Sequence, residues 1–134
     1  MNVLIDTSVW SLALRRSTGP ADPIVEELRR LIDDDRACLI GPIRQEVLSG
    51  IRDHSQYSAL RDMLRAFPDL EITTGDYERA AEMFNSCRSH GIQGSNTDFL
   101  ICAVSERLTL SILTTDQDFR QFKPHIPVDL YEIS

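Results

Sequence analysis

The chain has 134 residues, 42% of them apolar, which is enough material for one domain with a single core over residues 1–134. Its 14 Lys and Arg against 21 Asp and Glu give a formal charge of −7, and this charge disfavours general electrostatic adhesion to nucleic acid or anionic lipid. No apolar stretch approaches the roughly 20 residues of a membrane span, and no export signal is visible. We therefore expect a cytoplasmic protein with no membrane partner.

Short apolar segments alternate with amphipathic ones along the chain. At Asp22-Pro23 an N-cap residue is followed by proline at the first helical position, a typical helix start. The predicted strands, in chain order, cover residues 2–5, 37–40, 70–72, 110–114 and about 128–131. The predicted helices cover 8–14, a segment from 22 onward, 43–50, 55–66, a long segment ending before Gly91, and 97–108. This alternation predicts an α/β fold, a central parallel sheet of four to five strands flanked by helices on both faces.

Acidic residues follow two of the predicted strands directly. Asp6 closes the strand over 2–5, and Asp116 follows the strand over 110–114. If both strands are parallel members of one sheet, both acids emerge at its carboxyl edge, where open α/β sheets bind ligands. Carboxylates gathered there repel one another unless a cation joins them. A hard divalent ion with oxygen ligands, Mg²⁺ or Mn²⁺, is the simplest explanation.

Each acid taken alone has a structural explanation. Asp98 lies in the first turn of a predicted helix, where a carboxylate favours the helix dipole, and Glu46 resembles a solvated helix residue. Asp118 lies in a turn-rich segment and is predicted to be a turn residue. Asp6 is harder to explain structurally, because an acid between a buried strand and Thr-Ser is unfavourable unless a site needs its charge. The combination is more specific than any of its members.

The cysteines and histidines show no metal-binding spacing, so the sequence supports neither a zinc site nor a Cys or Ser nucleophile triad. We expect buried structural cysteines and surface histidines at Cys38, Cys87, Cys102, His54, His90 and His125.

Four segments carry a family resemblance. They are Val3-Leu4-Ile5-Asp6-Thr7-Ser8-Val9-Trp10, Ile43-Arg44-Gln45-Glu46-Val47-Leu48, Thr97-Asp98-Phe99-Leu100-Ile101-Cys102-Ala103 and Leu113-Thr114-Thr115-Asp116-Gln117-Asp118-Phe119. In this order and over nearly the whole length, the chain resembles PIN-domain ribonucleases, and specifically the VapC toxins of bacterial type II toxin–antitoxin pairs. Cys102-Ala103 departs from the two small aliphatic residues of many relatives, a change of similar size that leaves the catalytic assignment unaffected.

The resemblance implies a catalytic set of Asp6, Glu46, Asp98 and Asp116. Asp6 and Asp98 match the principal metal ligands, Asp116 matches the third acidic position, and Glu46 matches the acid on the helix after the second strand. We favour Asp116 over Asp118 because it lies nearer the strand end, and whether Asp118 assists stays open.

Small hydroxyl residues beside these acids match the family pattern as well. The resemblance implies that Thr7 or Ser8, together with Thr114, orients carboxylates or a water molecule.

The function implied is that of a Mg²⁺- or Mn²⁺-dependent endoribonuclease toxin that hydrolyses RNA, is inhibited by a cognate antitoxin and forms a homodimer. Apolar and aromatic candidates for the dimer surface lie around Trp10, Tyr57, Phe67 and Phe84. Candidate phosphate contacts, each equally explained as a solvated charge, are Arg15, Arg16, Arg44 and Arg52.

Two alternatives remain. A phosphohydrolase or receiver-like phosphoacceptor would use Asp6 as nucleophile, but such phosphatases carry a second Asp two residues further on, where this chain has Ser8. An inactive binding module of the same fold would be favoured by loss of an acid, and all four acids are present.

Overall fold

The computed structural model describes residues 1–14 and 22–133. Four strands lie within them: β1 Val3–Ile5, β2 Ala37–Ile40, β3 Asp69–Leu70 and β4 Ser111–Leu113. The helices of the same residues are α1 Thr7–Leu14, α2 Pro23–Asp33, α3 Gly41–Leu48, α4 His54–Leu64, α5 Thr74–Ser89, α6 Asn96–Leu108 and α7 Asp118–Phe122. None of these described helices is long and apolar enough to cross a membrane.

The sheet has the strand order β3-β2-β1-β4, and all three pairings are parallel. β1 is central and fully buried, which explains its continuous run of apolar residues. Its last residue, Ile5, pairs with Leu113 of β4, so the chain leaves both strands at the same edge of the sheet. The predicted α/β fold with a parallel sheet is confirmed.

The structure differs from the prediction at one predicted strand and at one helix that was not predicted. The segment near 128–131 forms an isolated parallel bridge from Leu130 to Ile112 and no longer strand. The short helix α7 was not predicted, because the turn-forming residues before it conceal its start. Its two buried phenylalanines, Phe119 and Phe122, pack it against the core.

An ion pair between the exposed Arg107 and the buried Asp76 joins α5 to α6. Asp76 is 2% exposed and receives two bonds from Arg107, Nε to Oδ1 at 2.8 Å and Nη2 to Oδ2 at 2.9 Å. Its carboxylate also caps α5 by accepting from the Thr73 N–H. The Arg107 guanidinium is the main cause that holds the pKa of Asp76 below its usual value, against the opposing effect of burial.

We expect Arg107→Met to lower the midpoint of thermal unfolding at pH 7, because it leaves a buried carboxylate without its partner. A carboxyl whose folded pKa is lowered contributes stability above its unfolded pKa and loses that stability as pH falls through the folded value. The difference in unfolding midpoint between the mutant and the wild type should therefore become smaller below about pH 4. Arg79→Met is the matched control, since Arg79 joins the same two helices through the more exposed Glu106. This account would be contradicted if both variants lowered the unfolding midpoint equally, or if the difference between Arg107→Met and wild type stayed the same at acidic pH.

Candidate active site

Asp6 lies at the carboxyl edge of β1 and is held by two hydroxyl groups. It is 5% exposed, and its Oδ2 accepts from Ser8 Oγ at 2.8 Å and from Thr114 Oγ1 at 2.7 Å. Each hydroxyl in turn accepts a backbone N–H, Ser8 from Thr115 at 3.1 Å and Thr114 from Asp116 at 2.9 Å. Because these N–H groups occupy the hydroxyl lone pairs, the hydroxyl protons are directed towards Asp6. The buried carboxylate is thereby tied to the loop that carries Asp116.

Asp98 lies in the first turn of α6 and forms a capping box with Ser95. Ser95 N donates to Asp98 Oδ2 at 3.1 Å, and Asp98 N donates to Ser95 Oγ at 3.1 Å. The pKa of Asp98 is raised to about 6, mainly by burial and also by the negative charges of Asp6 and Asp116, whereas the Ser95 bonds oppose the shift. The Ser-x-x-Asp spacing signals this cap in the sequence. The cap explains the position of Asp98, whereas the neighbouring charges show that other acids lie close by.

Asp116 and Asp118 lie on either side of the start of α7. The Asp118 N–H donates to Asp116 Oδ1 at 2.9 Å, which turns the chain into the helix. Carboxylate oxygens of Asp98, Asp116 and Asp118 lie within 4.8 Å of one another. The sequence argument favoured Asp116 and left the part of Asp118 open, and the unpredicted helix brings Asp118 into the same cluster. Two acids separated by one residue were the only signal of this in the sequence.

Glu46 lies on α3 at the edge of the site and is exposed. It accepts a hydrogen bond from Thr7 Oγ1 at 3.1 Å, and Thr7 directly follows Asp6. Glu46 and Asp6 both lie outside the group of three acids within 4.8 Å. The hydroxyl positions therefore divide their work: Ser8 and Thr114 bind Asp6, and Thr7 binds Glu46.

The chemistry of this donor set suits a hard divalent ion. The three converging groups are all carboxylates, and Mg²⁺ and Mn²⁺ prefer such oxygen ligands. Cys102, one turn beyond Asp98, is a buried thiol whose pKa burial raises well above its usual value. A thiol that resists ionisation is a poor metal ligand, so the softer donor nearby does not compete.

The candidate phosphate-binding arginines differ in whether their guanidinium groups are already bonded within the protein. Arg44 donates from Nε to Asp69 Oδ1 at 2.8 Å and to the carbonyl oxygens of Leu64 and Phe67, so it joins α3 to the connection between α4 and β3. Its guanidinium is thus already engaged in structural bonds. Arg52 is exposed in the loop after α3, whereas Arg15 and Arg16 lie outside the described residues.

The PIN domain model matches residues 3–123 of the chain. The chain belongs to the PIN-domain family. Two similar relatives are the VapC ribonuclease Mb1587 of Mycobacterium bovis and the ribonuclease VapC11 of Mycobacterium tuberculosis. Each is 32% identical over 121 residues, covering 87% of this chain and 88% of the relative. This PIN domain therefore falls in the VapC group.

Solved structures share the fold of this PIN domain at lower identity. FitAcB from Neisseria gonorrhoeae superimposes with a TM-score of 0.76 at 21% identity, covering 97% of this chain and 96% of the other. VapBC2 from Rickettsia felis, bound to a DNA fragment from its promoter, superimposes with a TM-score of 0.74 at 14% identity, covering 100% of both chains.

We expect Asp98→Asn to raise the stability of the metal-free PIN domain at pH 7 by about 1 kcal/mol, less than the full pKa shift implies because the side chain is partly solvated. Asparagine keeps an oxygen for the Ser95 N–H, so the cap survives. A raised folded pKa means that this carboxyl lowers stability as pH rises from about 4 to about 6. The excess stability of Asp98→Asn over the wild type should increase over that pH range and then become constant. Thermal unfolding at several pH values, with Glu46→Gln as the exposed control, would contradict this if Asp98→Asn were less stable at pH 7.

Proposed function

We propose that the protein is a Mg²⁺- or Mn²⁺-dependent endoribonuclease toxin, a single PIN domain over residues 1–134 that acts in the cytoplasm. The observation that carries this proposal is the convergence of Asp98, Asp116 and Asp118 at the carboxyl edge of the sheet, with Asp6 buried beside them. The VapC relatives named as ribonucleases support the reaction class.

The residues assigned to the ion are Asp6, Asp98 and Asp116, to which we add Asp118. Both hydroxyl bonds of Asp6 go to Oδ2, so we assign its Oδ1 to the ion. The charges of Asp6 and Asp116 add to burial in raising the pKa of Asp98, and a cation would relieve the part that comes from these charges. A bound divalent ion would neutralise charge on the scissile phosphate and make a water molecule more acidic.

Glu46 is assigned to the attacking water. It is exposed, and Thr7 fixes the orientation of its carboxylate, which suits a group that accepts a proton from solvent. The water oxygen bonds to phosphorus, the bond from phosphorus to O3′ breaks, and the departing O3′ takes up a proton. The products are a 5′-phosphate and a 3′-hydroxyl, with no covalent enzyme intermediate.

Recognition of RNA would rest on shape and local contacts. The 2′-hydroxyl is not the nucleophile in this reaction, so a single-stranded or loop segment that exposes the phosphate is the expected substrate. With a net charge of −7, the chain needs the ion to bring a polyanion to this edge. Arg52 is the described arginine that stays a candidate for a phosphate contact.

The phosphoacceptor alternative is disfavoured by the surroundings of Asp6. A nucleophilic carboxylate must reach phosphorus, but Asp6 is 5% exposed and its Oδ2 accepts hydrogen bonds from two hydroxyl groups. The inactive module is disfavoured because the chain retains all four acids, Asp6, Glu46, Asp98 and Asp116.

We expect Asp6→Asn and Asp98→Asn each to reduce RNA cleavage by roughly 100-fold or more, because each removes a negative ligand from the reacting centre. Asp118→Asn should also weaken Mn²⁺ binding measured by calorimetry, comparably to Asp116→Asn. Asp62→Asn, an exposed acid on α4, is the control. Near-normal cleavage by either of the first two variants would refute the metal assignment, and normal binding by Asp118→Asn would return that residue to a turn role.

A cognate antitoxin and a homodimer complete the proposal. Structural neighbours include FitAcB, VapBC2 and a toxin–antitoxin complex from Klebsiella pneumoniae, the last with a TM-score of 0.65 at 19% identity over 88% of this chain and 90% of the other. Trp10 is 1% exposed and packs edge-on against Phe67, so it belongs to the core and is removed from the dimer candidates. Sedimentation at micromolar concentration would test the dimer, and a monomer would contradict it.

We expect antitoxin and metal to compete for the site. A basic antitoxin residue, for which we propose arginine, pairs bidentately with Asp6, Asp98 or Asp116 where the ion would otherwise bind. By linkage, increasing Mg²⁺ or Mn²⁺ should weaken antitoxin affinity, and Asp98→Ala should weaken it as well. Titrations across a metal series would measure this against a monovalent salt of equal ionic strength. An affinity that depends only on ionic strength would leave steric blocking as the mode of inhibition.

A further inference from the structure

Gly94 lies in direct contact with an aromatic ring of α7. A Cβ atom added at this position would lie 2.5 Å from Phe122 Cζ and 3.0 Å from Phe99 Cε2. Ordinary van der Waals contact begins at 3.4 Å, so no side chain fits without movement. The backbone φ of Gly94 is outside the left-handed region, unlike those of Gly50 and Gly91. Close approach, and not conformational freedom, is therefore the reason for glycine here.

The ring of Phe122 belongs to an aromatic cluster between α6 and α7, which we define as Phe84, Phe99, Phe119 and Phe122. Phe122 lies 4.8 Å from Phe99 and 5.4 Å from Phe119 between ring centroids. Phe84 of α5 packs against Phe99 at 5.6 Å. Phe99, Phe119 and Phe122 are at most 1% exposed, so their separations are fixed by close packing on all sides.

Each side of this contact is attached to an acid of the site. Gly94 precedes Ser95, whose capping box holds Asp98, and Phe99 follows Asp98 directly. On the other side, Phe122 lies one helical turn after Asp118 in α7. The seating of Gly94 on Phe122 therefore sets how close the α6 acid lies to the α7 acids.

We infer that Gly94 and Phe122 are positioning residues that set the separation of Asp98 from Asp116 and Asp118 for metal binding, an inference that rests on the proposed metal-dependent function. Mg²⁺ requires near-octahedral ligands at about 2.0–2.1 Å. A Cβ at position 94 demands a displacement of roughly 1 Å, which such a coordination shell does not tolerate.

A purely structural role for Gly94 predicts a different experimental result. In that case Gly94→Ala lowers stability through overpacking and leaves the metal affinity of the folded protein unchanged. Metal affinity measured on folded protein separates the two roles, and relief of the clash by a smaller residue at position 122 provides a second, independent readout.

The experiment measures Mn²⁺ binding by calorimetry for wild type, Gly94→Ala, Phe122→Leu and the double variant, with circular dichroism to establish folding. Gly75→Ala is the matched control, because the nearest atom to its added Cβ is Thr73 Oγ1 at 3.7 Å, an ordinary contact. Phe67→Leu is the control for loss of a ring elsewhere.

We expect Gly94→Ala to weaken Mn²⁺ binding by about tenfold or more, in the range seen for residues that hold metal ligands in place. The double variant should bind more tightly than Gly94→Ala, because leucine vacates the position of Cζ, and both controls should match wild type. Wild-type affinity in folded Gly94→Ala overturns the inference. Should Gly94→Ala fail to fold, Phe122→Leu must still bind more weakly than Phe67→Leu, and equal affinities overturn it. Absence of Mn²⁺ binding by wild type would instead overturn the proposed function together with this inference.

Discussion

Electrostatic repulsion among carboxylates at one edge of the sheet is the constraint on which the rest of the site depends. A chain with a net charge of −7 places the carboxylates of Asp98, Asp116 and Asp118 within 4.8 Å of one another, and the charges of Asp6 and Asp116 add to burial in raising the pKa of Asp98. Such an arrangement persists only when the rest of the fold holds each acid in place. The hydroxyls at Ser8 and Thr114 and the capping box at Ser95 are the bonds that do so.

Each of these two hydroxyl groups bonds both a backbone N–H and a carboxylate. Ser8 and Thr114 each accept a hydrogen bond from an N–H of the loop after β4 and donate one to Asp6, so one network fixes both the acid and the loop. Ser95 performs the same double role for α6. Parts of the site that appear to be ordinary turn and helix-cap geometry are thus the parts that confine its charge, and local structure and site geometry cannot be changed separately.

The sequence predicted the features that depend on local pattern. The apolar run of β1, the acid after it and the helix that carries Asp98 follow from periodicity and from strand ends. Helix α7 was not predictable, because its five residues depend on tertiary burial of Phe119 and Phe122. The structural role of Arg44 was equally hidden, since its partners lie 20 to 25 residues away along the chain.

The hydrogen bond from Thr114 to Asp6 joins residues separated by 108 positions. β1 and β4 are neighbours in the sheet although they are synthesised at opposite ends of the fold. Contacts of such long range form slowly and only after most of the chain is available. During translation, Asp6 is therefore made long before the loop that completes its surroundings. A ribosome-bound chain cannot complete the bonds around Asp6 until residues 111–118 emerge, so the pairing of β1 with β4 makes these surroundings a late part of the fold to form.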